Sequence, residues 1–143
     1  MSFKKILIGV DGSEYALNAA KRGMELARQL QAEAAILFVV DTRKAIGNVD
    51  AGISHNDALL ILKKEAEQTL DQVTEMFGGE RFVKLMPEGH PRQEILRTAE
   101  VWEADLIVLG THGRQGLMHL LLGSSAEYIV LHAKVPVMVV PLK

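Results

Sequence analysis

The chain has 143 residues, a formal net charge of −2 and no cysteine, which suits one domain spanning residues 1–143 and excludes disulfide and thiol chemistry. Acidic and basic residues are interspersed, so the sequence indicates neither a nucleic-acid surface nor a polybasic membrane anchor. The first apolar run, residues 6–10, is too short for a signal-peptide core or a membrane span, and we expect a cytoplasmic protein.

The first half of the chain predicts two strands and two helices. Residues 6–10 and 34–40 are nearly continuous apolar runs, typical of strands covered on both faces. Between them, Ser13 can cap a helix that runs to about residue 30. A second helical pattern covers residues 59–77 and ends at a pair of glycines.

The second half predicts three strands and two helices. Residues 81–86 alternate and carry Lys84 in the middle, which favours a strand at the edge of the sheet. Pro91 opens the third helix at its first turn. Residues 106–109 and 135–140 are further apolar strands, and a last helix runs from Ser124 to about residue 132.

The alternation of strands and helices predicts an α/β fold, a single-domain doubly wound five-stranded parallel sheet with helices on both faces. In such folds, ligands bind at the carboxyl ends of the strands beside the point where the chain reverses direction. Here those ends are residues 9–12 and 110–113. Both are rich in glycine, which permits close approach of the main chain to a ligand.

The stretch from residue 110 to 125 has the composition of a phosphate cradle. Its glycines lack a Cβ atom, and its serines add hydroxyl donors at the start of a helix. These residues are Gly110, Gly113, Gly123, Ser124 and Ser125. A purely structural interpretation fits the spacing equally well, because Ser124 and Glu127 match a capping box and the glycines match turns. Neither the P-loop motif nor G-x-G-x-x-G is present.

The spacing Gly110-x-x-Gly113, nine residues, then Gly123-Ser124 resembles the nucleotide-binding signature of the universal stress protein family. The resemblance covers the whole chain, including residues 5–13, the Gly89-x-Pro91 entry to the third helix, and the strands at residues 104–110 and 135–140. It implies a strand order of 3-2-1-4-5. Because the signature is complete, it also implies the branch of the family that binds ATP.

The resemblance implies a role for each residue of the site. Asp11 and the main chain of Gly9 contact the adenosine part, and Val39 contacts adenine through its main chain. Ribose and phosphates are held by Gly110, Gly113, Gly123, Ser124 and Ser125, while Leu109 and His112 line the site. The ligand that the resemblance implies is ATP, with ADP or AMP as alternatives. Asp11 has a second interpretation as a cap for the first helix, although the strand end favours a ligand.

We predict no catalytic residue and no metal ligand from the chain. The five histidines have no metal-ligand spacing, so Mg²⁺ is expected only through the phosphates. Arg43 and Arg114 can neutralise phosphates, but solvated loop arginines are the favoured interpretation. There is no P-loop lysine and no obvious general base, and Asp11 and Asp41 are the acidic candidates at strand ends. Any hydrolysis is therefore expected to be slow.

Two further segments carry predictions. Residues 42–56 are polar and long for a connection, and we interpret them as a mobile flap over the nucleotide. The last strand is apolar and lies at a predicted sheet edge, where pairing with a second copy removes an aggregation hazard. The resemblance implies the same homodimer. Its edge residues are Val135, Val137, Val139 and Val140.

The leading hypothesis is an ATP-binding regulator of the stress response that is read by an unidentified protein partner. One alternative is an ATPase or nucleotidyl transferase that uses the same pocket, and another is an interaction module without nucleotide. A phospho-receiver domain is rejected because Met86-Pro87 stands where the third strand should end in aspartate. A flavodoxin is rejected because the site loops lack aromatic residues.

Overall fold

The computed structural model describes residues 2–112 and 122–142. The strands are β1 (Lys5–Val10), β2 (Glu33–Phe38), β3 (Val40–Asp41), β4 (Val83–Leu85), β5 (Glu88–Gly89), β6 (Leu106–Gly110) and β7 (Val137–Val140). The helices are α1 (Glu14–Leu30), α2 (His55–Met76), α3 (Pro91–Val101) and α4 (Ser124–His132), with a short 3₁₀ helix at Thr42–Lys44. All four predicted α-helices are therefore confirmed.

The main sheet is parallel and has the order β4-β2-β1-β6-β7. Counted along the chain within this five-stranded sheet, the order is 3-2-1-4-5, as the resemblance implies. The strand β4 lies at one edge, with Lys84 exposed in its middle, as predicted. Since β2 and β6 flank β1 on opposite sides, the carboxyl ends of these three strands border one crevice.

The helices cover both faces of the sheet. Successive residues of β1 point to opposite faces, and Ile6, Leu7 and Ile8 are all 0% exposed. The face that contains Ile6 and Ile8 packs against α1 and α2. The face that contains Leu7 packs against α3 and α4, through Ile95 and Ile129. The nearly continuous apolar runs of the sequence thus correspond to strands buried on both sides.

The apolar run at residues 34–40 differs from the prediction of a single strand. Its ladder with β1 ends at Phe38, and the next strand, β3, pairs with β5 instead. The Val40 N–H donates to the Pro87 carbonyl at 2.8 Å. The outer neighbour of β2 has only three residues, and the chain beyond Phe38 pairs with the segment before α3. Val39 lies at the break between the two sheets.

The last strand is also shorter than the predicted residues 135–140. The Pro136 carbonyl accepts the Ile107 N–H at 3.1 Å, but proline has no N–H to donate. The regular ladder therefore begins at Val137, which is in register with Ile107, and ends with Val140 opposite Gly110. Val135 lies outside the strand.

Candidate functional site

A cleft of about 420 Å³ opens at the carboxyl ends of β1, β2 and β6. This volume lies within the usual range for small-molecule sites. Every predicted site residue except Gly113 lines it, and Gly113 lies outside the described residues. The lining residues among them are Gly9, Asp11, Val39, Leu109, Gly110, His112, Gly123, Ser124 and Ser125. The fold thus brings separate segments of the chain to one place.

The floor of the cleft is apolar and closely packed. Val39 is 9% exposed and Leu109 is 7% exposed, and the side chain of Ile95 joins them from α3. A Cβ atom on Gly9 would lie 2.8 Å from Leu109 Cδ2. Gly9 therefore lets the side chain of Leu109 lie across the end of β1.

Gly110 is required by helix packing, which the sequence did not reveal. A Cβ atom there would lie 2.8 Å from both the carbonyl carbon and the carbonyl oxygen of Tyr15. These are main-chain atoms of α1 and cannot rotate aside as a side chain can. The glycine thus allows α1 to approach the end of β6, a reason distinct from the close approach of an anion.

Asp11 supports the start of α1 from within the cleft. Its Oδ1 accepts hydrogen bonds from the Ser13 N–H at 3.0 Å and from the Ser13 hydroxyl at 2.6 Å. Ser13 Oγ in turn accepts from the Ala16 N–H at 3.1 Å, so Ser13 is the cap of the helix. Asp11 orients the cap residue and also lines the cleft. The interpretation of Asp11 as the helix cap is therefore wrong, since Ser13 has that position, and its role as a ligand contact stays a prediction.

The start of α4 has no side-chain cap. Gly123, not Ser124, occupies the N-cap position, and the predicted capping box is not formed. The Gly123 N–H donates to the Thr111 carbonyl at 2.6 Å, and the first helical hydrogen bond joins the Glu127 N–H to the Gly123 carbonyl at 2.9 Å. The N–H groups of Ser124 and Ser125 belong to the first turn and have no acceptor within the helix. The positive end of the helix dipole therefore faces the cleft.

The ring of His112 packs beside α1. Its centroid lies 5.2 Å from that of Tyr15, and its Nδ1 lies 3.1 Å from Thr111 Oγ1. These contacts hold the side chain at the mouth of the cleft, next to the strand end at Gly110. The chain that follows, residues 113–121, lies outside the described residues, and so does Arg114.

Asp41 and Arg43 form a closed ion pair at the side of the cleft. Arg43 Nε donates to Asp41 Oδ1 at 2.9 Å, and Arg43 Nη2 donates to Oδ2 at 2.8 Å. These hydrogen bonds lower the pKa of Asp41, which is buried. Arg43 Nη1 also lies 3.1 Å from His90 Nε2, so the guanidinium links β3 to the residue that precedes α3. Its charge is already neutralised by the carboxylate.

The family model described as "Universal stress protein family" matches residues 2–141 of the chain. The chain belongs to the universal stress protein family. Universal stress protein MJ0531 of Methanocaldococcus jannaschii is 41% identical over 141 residues, which cover 96% of this chain and 82% of that protein.

Solved structures of the family confirm the fold. The structure of protein MJ0577 has a TM-score of 0.86 and 29% identity, and the match covers 100% of this chain and 99% of that one. Universal stress protein UspA from Lactobacillus plantarum has a TM-score of 0.85 and 26% identity, covering 98% of this chain and 99% of that one. The predicted parallel α/β architecture is thus confirmed for this universal stress protein.

Several residues of the cleft were not predicted from the sequence. Lys44 and Arg92 add cations, and Leu62 and Glu65 approach from α2. Arg92 could have been predicted from the sequence as a cleft residue, because it follows Pro91 in the first turn of a helix that begins at the ligand-binding edge. Of the predicted flap at residues 42–56, Arg43 and Lys44 line the cleft, and residues 48 and 53 form an antiparallel bridge.

Within residues 2–112 and 122–142, no group of three or more His, Cys, Asp or Glu residues is placed to hold a metal ion. No helix in the same ranges has the length and apolar content needed to cross a membrane.

Proposed function

We propose that this universal stress protein binds an adenine nucleotide, ATP, in the cleft and acts as a nucleotide-dependent regulator in the stress response. The observation that carries the proposal is the uncapped start of α4. Its first-turn N–H groups have no acceptor among residues 2–112 and 122–142, and they open on the cleft beside an apolar floor. A helix start of this kind attracts a phosphate. The apolar floor formed by Val39 and Leu109 suits a flat base.

The proposed contacts are those that the resemblance to the family signature implies. Adenine lies against the main chain of Val39, and the adenosine part lies near Gly9 and Asp11. The ribose and phosphates extend along Gly110 and Gly113 toward the start of α4. There the main-chain N–H groups and the hydroxyls of Ser124 and Ser125 donate to phosphate oxygens. Leu109 and His112 complete the lining.

Two solved structures of the same fold are described with bound nucleotides. One solved structure is described as a universal stress protein in complex with cAMP, with a TM-score of 0.66 and 21% identity. Another, from Arabidopsis thaliana, is described with AMP bound, with a TM-score of 0.62 and 20% identity. At these identities the likeness carries the fold alone, and the nucleotides are properties of those proteins.

The proposal includes binding and at most slow hydrolysis. Both candidate acidic groups have hydrogen-bond partners within the chain, since Asp11 Oδ1 accepts from Ser13 and Asp41 is paired with Arg43. Mg²⁺ enters with the phosphates. We place the protein in the cytoplasm, where ATP and an unidentified regulatory partner are both accessible. Rapid release of phosphate from ATP in a steady-state assay would favour the alternative of an ATPase.

The direct test is to identify the nucleotide and measure its binding. Protein purified without added nucleotide is denatured, and the released small molecules are identified by mass spectrometry. The nucleotide-free protein is then titrated with ATP in a calorimeter. We expect an adenine nucleotide in the released fraction and saturable binding of ATP. An empty fraction together with no heat of binding would support the alternative of an interaction module.

We also propose a homodimer formed through the edge strand β7. The Pro136 carbonyl accepts from the Ile107 N–H and the Val140 carbonyl from the Thr111 N–H. The main-chain groups of Val137 and Val139 therefore point to the edge that has no neighbour among the described strands. Val135 lies outside the strand and Val140 is 7% exposed, which leaves Val137 and Val139 as the residues that pair. An unpaired edge of this kind is a template for a second copy.

Val139→Pro tests the dimer, because it removes an outward N–H and leaves the ladder with β6 intact. We expect sedimentation at micromolar concentration to show a dimer for the unaltered protein and a monomer for Val139→Pro. Val139→Ala, which keeps the N–H, is the matched control and should stay dimeric. A monomeric unaltered protein would overturn the proposal.

A further inference from the structure

Among the described residues, three cationic side chains line the cleft, and Arg92 differs from Arg43 and Lys44. Arg43 is neutralised by Asp41 through two side-chain hydrogen bonds, and both Arg43 and Lys44 are exposed. Arg92 is half-buried, and none of the carboxylates in residues 2–112 and 122–142 lies within ion-pair distance of its guanidinium. The cleft therefore contains a partly desolvated positive charge that the described chain does not neutralise.

The guanidinium of Arg92 is held by an aromatic ring from α4. Its central carbon lies 5.4 Å from the centroid of the Tyr128 ring. The Tyr128 ring is held in turn by His132, on which it stacks with ring centroids 4.1 Å apart and ring planes inclined by 25°. A cation over an aromatic face is attracted by the ring quadrupole. The arrangement directs Arg92 from the start of α3 toward α4.

Tyr128 brings the guanidinium near the uncapped start of α4. Ser124 and Tyr128 are four residues apart in the same helix, so they lie on one face and are separated by about 6 Å along the axis. Arg92 and Ser125 line the same cleft. A phosphate held by the first turn of α4 is thus within the span of the arginine side chain.

We propose that Arg92 is a specificity-determining residue that contacts the phosphates and makes affinity rise with their number. This assignment rests on the proposed function. The contact with Tyr128 is a cation–π contact that occupies no hydrogen-bond acceptor, so the N–H groups of the guanidinium remain available for phosphate oxygens. A planar fork of donors matches two oxygens of a phosphate, whereas an ammonium group acts as a single point charge.

The experiment compares ATP, ADP, AMP and adenosine by calorimetric titration of the unaltered protein and of Arg92→Gln. We expect Arg92→Gln to weaken ATP binding about tenfold, the loss of one hydrogen-bonded charge, and to change adenosine binding less than about twofold. Arg92→Lys should fall between the two, since it keeps the charge and loses the fork. Arg97→Gln is the matched control, because Arg97 lies on the same helix and pairs with Glu94 instead.

The outcomes separate this assignment from the function on which it rests. If the unaltered protein binds none of the four compounds, the proposed function fails and the assignment fails with it. If the unaltered protein binds ATP and Arg92→Gln binds it equally well, only the assignment is overturned. An equal loss for ATP and adenosine would also overturn it, because Arg92 would then act through packing on Tyr128. A loss confined to the phosphorylated ligands supports it.

Discussion

The four α-helices in the part of the chain that the structure describes begin in two different ways. At α1 and α2 the chain supplies its own caps: Ser13 Oγ accepts from the Ala16 N–H, and Ser54 and Asp57 form a reciprocal capping box. At α3 and α4 the N-cap residues His90 and Gly123 make no side-chain cap. The first residues of both uncapped helices line the cleft. The comparison indicates that the uncapped ends leave donors available for a ligand.

The largest expected effect comes from placing a negative charge at an uncapped end. Ser125→Glu introduces a carboxylate into the first turn of α4, at an exposed position that lines the cleft. We expect ATP affinity to fall by about 2 kcal/mol, roughly thirtyfold, because two like charges meet at short range. Thermal stability should stay equal or rise, since an acidic residue suits a helix start. Calorimetry and thermal unfolding measure the two quantities.

Ser125→Gln is the matched control, with a similar length and no charge. It should retain most of the affinity for ATP. If Ser125→Glu bound ATP as tightly as Ser125→Gln, the phosphates would not lie at the start of α4, and the contrast between capped and uncapped helices would have no functional meaning.

A smaller effect is expected at the 3₁₀ helix, whose start is closed by the chain. Asp41 is its N-cap and accepts from the Arg43 N–H at 3.1 Å as well as from the guanidinium. Arg43→Gln should lower the free energy of unfolding at pH 7 by about 1–2 kcal/mol, because it takes charged donors from a buried carboxylate. ATP affinity should change little, since the charge of Arg43 is already neutralised.

The pH dependence of this loss follows from the pKa of Asp41. Arg43 holds that pKa below the ordinary value of 3.8. The stabilisation is therefore fully present above that ordinary value and disappears as the pH falls through the lower pKa of the folded state. Urea unfolding at pH 7 and near pH 3 should show the difference between Arg43→Gln and the unaltered protein shrinking in acid. Arg22→Gln breaks an exposed ion pair and serves as the control. A difference that is the same at both pH values would contradict the assignment.

The fold could be predicted from the sequence more completely than the structural roles of individual residues. Buried strands and helix patterns were readable because apolar periodicity is local, and the positions of the site followed from the strand ends. Gly110 was predicted as a site residue, but its close contact with the main chain of Tyr15 depends on packing between distant segments. The break at Val39 likewise involves pairing with two short strands, β4 and β5, that lie far along the chain. The cation–π contact of Arg92 with Tyr128 joins two helices that no local pattern relates.

The smallest expected effect comes from giving α4 a side-chain cap. This substitution removes the difference between α4 and the capped helices α1 and α2. Gly123 has φ −66° and ψ 158°, an extended conformation that any residue adopts. Gly123→Ser places a hydroxyl oxygen where it accepts from the first turn, which should raise stability by a few tenths of a kcal/mol. The same hydrogen bond occupies a donor that the proposed phosphate uses, so ATP affinity should fall, by about threefold.

Gly123→Ala separates the cap from the added carbon atom. It introduces the same Cβ without an oxygen, so it should lower stability and should not compete for the N–H groups. If serine and alanine weakened ATP binding equally, the added carbon would be responsible and capping would be irrelevant to the ligand. If Gly123→Ser alone weakened ATP binding and also raised stability, the N–H groups that a cap satisfies would be the same groups that hold the phosphate.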